Sequence, residues 1–293
     1  MKYKYQLDPS SKKFICPTCE KRCFVRMIND NGEYLSDEFG RCDRSNSCGY
    51  YKYPNSSDLD VIIDNKLDKL TNISLKLGPP SIIPVQYVHQ SLKGYGINPF
   101  YQFLMTIFNK SEISAVFNEY KVGTSKKWGG ATIFWQISKN LEVRSGKVIK
   151  FDPISGKRIK HPKPLMTWVH SLLRLNQFNL KQVLFGEHLL SQYSNKTVCL
   201  VESEKTAIIM AIKFPKFLWL ATGSKQEFKI EKLKVLKDRK VIVFPDSDAH
   251  EEWKTKSNFI SKQLNLNLVI STFVMNCTIA LDHSIGFDLA DLN

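Results

Sequence analysis

The second half of the chain alternates short apolar runs with stretches of helical period. Thr197-Val198-Cys199-Leu200-Val201 is a β-branched, apolar run that ends in Glu202, and Lys240-Val241-Ile242-Val243-Phe244 is another, followed by Pro245-Asp246-Ser247-Asp248. Each has the length of a buried strand. Between them, Glu204 to Lys213 reads as a helix, Phe217 to Ala221 as a strand and Gln226 to Leu236 as a second helix. The order β-α-β-α-β predicts a parallel sheet with right-handed crossovers. After Asp248 the pattern predicts a helix over Glu251 to Leu264, with Trp253, Ile260 and Leu264 facing the sheet, and a fourth strand over Leu268 to Val274.

The first half has a different texture. Residues 84–120 read as helical: Asn98 caps a helix with Pro99 at its first position, and Ser111 is expected to cap the next. Ala131 to Ile137 and Val143 to Phe151 are strand patterns, with a turn at Asp152-Pro153-Ile154-Ser155-Gly156, so 121–163 reads as an antiparallel meander. Residues 164–196 are expected to be helical connectors, with His170 and His188, like His89 upstream, in structural roles. Residues 54–83, opening Pro54-Asn55-Ser56-Ser57 and closing Gly78-Pro79-Pro80-Ser81, read as a linker.

Residues 1–53 are organised by cysteine. Cys16-Pro17-Thr18-Cys19 is a knuckle, and Cys42 and Cys48 follow across a hairpin signal at Asn29-Asp30-Asn31-Gly32. Two thiol pairs suit a closed, tetrahedral zinc site, the build of a zinc ribbon. The second pair is spaced by five residues rather than two, and Cys23 is a further thiol able to replace Cys42 or Cys48. So short a segment has few other means of folding.

Composition sharpens this picture. In 293 residues, 42 Lys and Arg stand against 28 Asp and Glu, a formal charge of +14. Such a surplus points to polyanionic partners. It is densest from Lys139 to Lys163, where eight cations face Glu142 and Asp152. On alternating strands Arg144, Lys147, Lys150, Lys157, Arg158 and Lys160 are candidates for a phosphate track. No apolar run reaches the ~18 residues of a membrane span. The N-terminus lacks a signal-peptide core, and a cytoplasmic protein is expected.

In open α/β sheets, ligands sit beyond the carboxyl ends of the strands. Glu202, Asp246 and Asp248 are therefore expected at one edge. Two aspartates at i and i+2 can share a hard cation such as Mg²⁺ or Mn²⁺, and a separate glutamate can move a proton. At Val201-Glu202-Ser203-Glu204-Lys205-Thr206-Ala207 and Phe244-Pro245-Asp246-Ser247-Asp248 the chain resembles a Toprim domain of primase-like type, with Ser203 where the family more often has glycine. The resemblance covers the C-terminal third. It implies a Rossmann-like Toprim sheet, Glu202 as general acid or base, and Asp246 and Asp248 as Mg²⁺ ligands. Asp288 and Asp291 resemble the Asp-x-x-Asp-Leu segment that often closes this region, and Glu251 or Glu252 is a further candidate ligand.

A zinc ribbon ahead of such a domain is the layout of bacterial-type primases, with the ribbon reading the template and the basic middle lying where the N-terminal half of the polymerase core sits. The whole pattern is similar to zinc-plus-Toprim proteins of mobile genetic elements and phages. The expected architecture is a zinc ribbon (1–53), a linker (54–83), a mixed helical and antiparallel region (84–196) and a Toprim domain (197–293). The expected partners are single-stranded DNA and nucleotides. No helicase P-loop is present, so any helicase is a separate chain. A Toprim nuclease and a non-catalytic replication or mobilisation accessory are the alternatives.

Overall fold

The computed structural model describes residues 5–44, 48–54, 78–280 and 288–291. Most of the expected linker lies outside them. The chain divides into two compact units, Met1–Leu77 and Gly78–Asn293.

In the first unit, β1 (Tyr5–Leu7), β2 (Phe14–Ile15), β3 (Arg22–Asn29), β4 (Gly40–Cys42) and β5 (Tyr51–Lys52) form an antiparallel sheet around β3. The turn after β3 is closed by Asn29, whose Oδ1 accepts from the backbone N–H of Asn31 (3.0 Å) and Glu33 (2.9 Å). Past the hairpin signal the chain makes only a bridge at Tyr34, and β4 begins at Gly40. Glycine is required there, because a Cβ on Gly40 would lie 2.1 Å from the Val25 carbonyl oxygen. Phe24, Cys16 and Cys42 make the small core, with Tyr50 packed on it.

The second unit opens with α1 (Gln86–Ser91), α2 (Pro99–Leu104) and α3 (Lys110–Glu119). Asn98 caps α2 as predicted, accepting from the N–H groups of Phe100 and Tyr101. The cap of α3 is Asn109 rather than Ser111. Asn109 and Glu112 form a reciprocal capping box that satisfies two orphan donors, and Ser111 instead donates to Asn109 Oδ1 (2.6 Å).

The meander is β6 (Val122–Ser125), β7 (Ala131–Ile137), β8 (Val143–Ile149) and β9 (Met166–Trp168), in that order. β9 and the short α4 (Val169–Leu172) stand where only helical connectors were expected. Every residue of β7 and β8 is buried, because both faces of this sheet are covered. Phe134 points into the main core with Phe100, Phe117 and Phe151, and its neighbour Trp135 points to a second cluster with Ile83, Val88 and Val169.

The other sheet is wholly parallel. It comprises β10 (Val198–Val201), β11 (Leu218–Ala221), β12 (Lys240–Val243) and β13 (Asn267–Ile270), in the order β11-β10-β12-β13. The crossovers contain α5 (Glu204–Lys213), the short α6 (Ile230–Leu233) and α7 (His250–Leu264), and α8 (Phe273–Ala280) follows β13. β10 and β11 are buried throughout, as strands covered on both faces must be. The main core joins this sheet to the helices and the meander: Leu200, Leu220 and Val243 belong to the same cluster as Phe100, Phe117 and Phe134. Residues on either side of position 197 therefore share one core. Among the described residues, no helix is long and apolar enough to cross a membrane.

Candidate functional site

The strand order sets where a ligand can sit. From β10 the chain moves to β11 on one side, and it returns to β12 on the other. The crevice between the carboxyl ends of β10 and β12 is the switch point, where connections diverge and leave room for a ligand. Glu202 follows β10 directly, and Asp246 and Asp248 follow β12 after Phe244-Pro245.

These groups are close enough for their charges to act on one another. Burial first, and then the charges of Glu202, Asp288, Asp248 and Asp291, push the Asp246 carboxyl up to about 8. Glu202 is raised by burial and then by Asp248, while Arg158 and Lys225 pull it back. Asp288 is raised by burial and opposed by Lys205. Its carboxylate accepts from Thr206 Oγ1 (2.9 Å) on α5 and from the Ala290 N–H (2.6 Å). Lys225 donates to the Asp248 carbonyl oxygen (2.8 Å) and pairs with Glu252 (3.3 Å).

Five carboxylates from three segments thus act on one another, with Arg158, Lys205 and Lys225 around them. Oxygen donors in this number suit a hard divalent cation. Their oxygens are more widely spaced than the ribbon thiols. Among the described residues, only the thiols bring three or more ligand atoms within 4.8 Å of one another.

A small pocket beside Glu202 is lined by Ile149, Phe151, Arg158, Lys205 and Gly223. Glu204, which also lines it, belongs to a buried ion pair that links the meander to α5: Lys147 Nζ on β8 lies 2.7 Å from Glu204 Oε1, with side chains 8% and 4% exposed. The aligned hydrogen bond from that ammonium goes to the Gly223 carbonyl oxygen (2.5 Å). Gly223 has φ +90, and a Cβ there would lie 3.0 Å from Glu204 Oε1, so both conformation and space call for glycine.

The predicted basic track divides. Arg144 is buried, pairs with Glu142 and donates to the Pro80 carbonyl oxygen (3.1 Å). With Lys147 committed to Glu204, both charges are used inside the protein. Lys150 is half-buried, and Lys157, Arg158 and Lys160 are exposed. Of these, Arg158 lines the pocket with Glu202. Glu251 pairs with His250 and Lys254, and Glu252 with Lys225 and Lys256. His188 is buried, with Nε2 3.1 Å from the Glu119 carbonyl oxygen. The Lys147–Glu204 pair and the cations Lys205 and Lys225 escaped sequence reasoning. The doubled acid in Glu202-Ser203-Glu204 was the available signal for Glu204, which reads equally as a helix start.

In the ribbon, Cys16 Sγ lies 3.8 Å from Cys48 Sγ, and Cys19 Sγ lies 3.9 Å from Cys42 Sγ. Tetrahedral coordination with Zn–S bonds of about 2.3 Å puts sulfurs about 3.8 Å apart, so the four thiols fit zinc. Cys23 stands beside them, 3.5 Å from Cys42 and 3.9 Å from Cys19.

Residues 3–60 match the zinc beta-ribbon finger family, and the ribbon is a zinc-binding module. Residues 98–247, just over half of the chain, match the family described as a domain of unknown function, DUF6371. The chain belongs to the DUF6371 family. The DUF6371 span opens on Asn98, which caps α2, and takes in the meander, Glu202 and Asp246. No curated protein matches the chain. Among solved structures it is similar to the primase fragment of the bacteriophage T7 primase-helicase protein, at 13% identity over 88% of each chain, with a TM-score of 0.40. It is also similar to the RNA polymerase domain of the Mycobacterium tuberculosis primase, at 12% identity over 71% of this chain and 76% of that one, with a TM-score of 0.42. The zinc-binding and RNA polymerase domains of the Aquifex aeolicus primase align at 9% identity over 90% of this chain and 73% of that one, with a TM-score of 0.40. At such scores the likeness assigns no role to any residue.

Proposed function

We propose that this DUF6371 protein is a primase-like, DNA-binding enzyme whose Toprim-like site carries out Mg²⁺- or Mn²⁺-dependent nucleotidyl or phosphoryl transfer on single-stranded DNA. What supports the reading is that Glu202 and Asp246 follow the adjacent parallel strands β10 and β12, and that Glu202, Asp248, Asp288 and Asp291 all act on the charge of Asp246. Asp246 and Asp248 would hold the cation. Bound there, a divalent cation supplies neutralisation of phosphate charge. Glu202 acts as general acid or base; burial and the Asp248 charge move its proton affinity toward neutrality, where transfer is efficient. Arg158, Lys205 and Lys225 orient the phosphates. The ribbon contributes to template contact.

The test incubates the full chain with single-stranded DNA, nucleotides and Mg²⁺ or Mn²⁺, scoring extension and cleavage together. Extension is expected; cleavage alone would favour the nuclease reading. Glu202→Gln should lower turnover by about 10²- to 10⁴-fold and leave metal binding intact. Loss of neither product with this variant would overturn the role of Glu202. Metal-independent DNA binding without any product would favour the accessory-factor reading.

A further inference from the structure

One aromatic side chain near the carboxylates is not used by the core. β9 is the outer strand of the meander, and its register sets Trp168 opposite Lys147 and Met166 opposite Ile149. Directly opposed residues project from the same face of a sheet. Ile149 lines the pocket that contains Glu202. Met166 and Trp168 therefore lie on the face that carries the carboxylate site, one strand further out. Lys147 Nζ ties the two places together: it is 5.9 Å from the Trp168 ring centroid and 2.7 Å from Glu204 Oε1.

Trp168 differs from the other four tryptophans of this unit in what surrounds it; Trp128 is also half-buried, but it packs against the cluster around Trp135. Trp135, Trp219 and Trp253 are buried and donate their indole N–H to Ser91 Oγ, the Phe214 carbonyl and the Lys225 carbonyl. Trp168 is half-buried, belongs to neither hydrophobic cluster of the unit and has no partner for its indole N–H among the described residues. Met166 beside it is 45% exposed.

The ring is nevertheless held in place. Its centroid is 6.0 Å from the His170 ring, which stacks on Phe178 at 4.9 Å and 4°. His170 is fixed in turn by Ser145 Oγ, 2.8 Å from Nδ1, and Phe178 packs against the cluster around Trp135. Trp168 is thus the outer member of a three-ring ladder anchored at its inner end.

The chain that leads into β9 is cationic. The Leu165 N–H donates to the Ile159 carbonyl (3.1 Å), which places the loop with exposed Lys160 and Lys163 against the start of the strand. Positive charge next to an available ring suits a strand whose phosphates follow the cations and whose unpaired bases stack. A duplex offers no free base face for such a platform.

We propose that Trp168, braced by His170, is the base-stacking platform that seats single-stranded DNA beside the carboxylate site. This rests on the reading of that site as one that acts on DNA. The test uses the full chain in Mg²⁺ and compares, by fluorescence anisotropy, a short labelled oligothymidylate with an abasic backbone of equal length. The wild type should bind the thymidylate about tenfold more tightly than the abasic strand. Trp168→Leu should erase that preference and leave abasic affinity unchanged, and Trp168→Phe should keep most of it. Independently, thymidylate should quench wild-type tryptophan emission, and Trp168→Phe should lose the quenching while still binding. A preference retained by Trp168→Leu, or quenching retained by Trp168→Phe, would overturn the platform alone. If the wild type binds neither strand, the platform and the DNA reading fall together.

Discussion

Asp246→Asn should stabilise the metal-free protein at neutral and alkaline pH. The carboxyl of Asp246 is raised from an ordinary 3.8 to about 8 by burial and by the surrounding carboxylates. A group raised in this way keeps its proton in the folded chain where the unfolded chain has lost it. Stability should therefore fall as pH rises from about 4 to about 8, and flatten above. Raising a carboxyl from 3.8 to about 8 corresponds to a ceiling of about 6 kcal/mol, at about 1.4 kcal/mol per tenfold change in proton affinity. Recovery of even a third of that, about 2 kcal/mol, raises the melting midpoint of a unit this size by about 4–8 °C. The assay is thermal unfolding in EDTA from pH 5 to pH 9, for wild type and variant. The variant should melt higher at pH 8 and show a shallower pH dependence. Mg²⁺ should raise the wild-type midpoint at pH 8 and have a much smaller effect on the variant. A variant that melts at or below the wild type in EDTA at pH 8, with the same pH slope, would refute the convergence of the carboxylates on Asp246.

Three further outcomes follow from other contacts. Lys147→Met should destabilise by about 3–5 kcal/mol, because it strands Glu204 as a buried, unpaired charge; the double variant with Glu204→Leu should recover much of this, as read by denaturant unfolding. Purified protein should carry one zinc ion by elemental analysis; Cys16→Ser should lose it, whereas Cys23→Ser should retain it, and the reverse result would reassign the ligand set. Affinity for single-stranded DNA should fall steeply with salt, and alanine at Lys157, Arg158 and Lys160 together should reduce the slope by up to about 2, at about 0.7 per phosphate contact on single strands. An unchanged slope would show these cations to be a solvated face.

Much of the fold is legible locally. The apolar runs at 197–201 and 240–244 each contain a strand, β10 and β12, one residue shorter, Glu204 to Lys213 is α5 as predicted, and Asn98 caps α2. These features depend on period, length and the residue at a cap, all of which are properties of neighbours in sequence. Local reading was weaker where two signals compete. Asn109 and Ser111 can both cap α3, and the reciprocal bond from Glu112 selects Asn109. β9 has three residues, too few to show a period, and it exists because β8 offers it an edge.

The sequence by itself determined the strand-ending carboxylates, the thiol pairs and the excess of positive charge. It could not determine which charges remain free. Arg144 and Lys147 look like their neighbours on paper, yet one serves Glu142 and the Pro80 carbonyl and the other Glu204. Arg158 stays exposed and faces Glu202. The difference arises because the meander is covered on both faces, so a cation in β8 must find an acceptor inside the protein, whereas one in the following loop remains with solvent. Only the packing of the meander and the parallel sheet on one core decides which residues meet in that way.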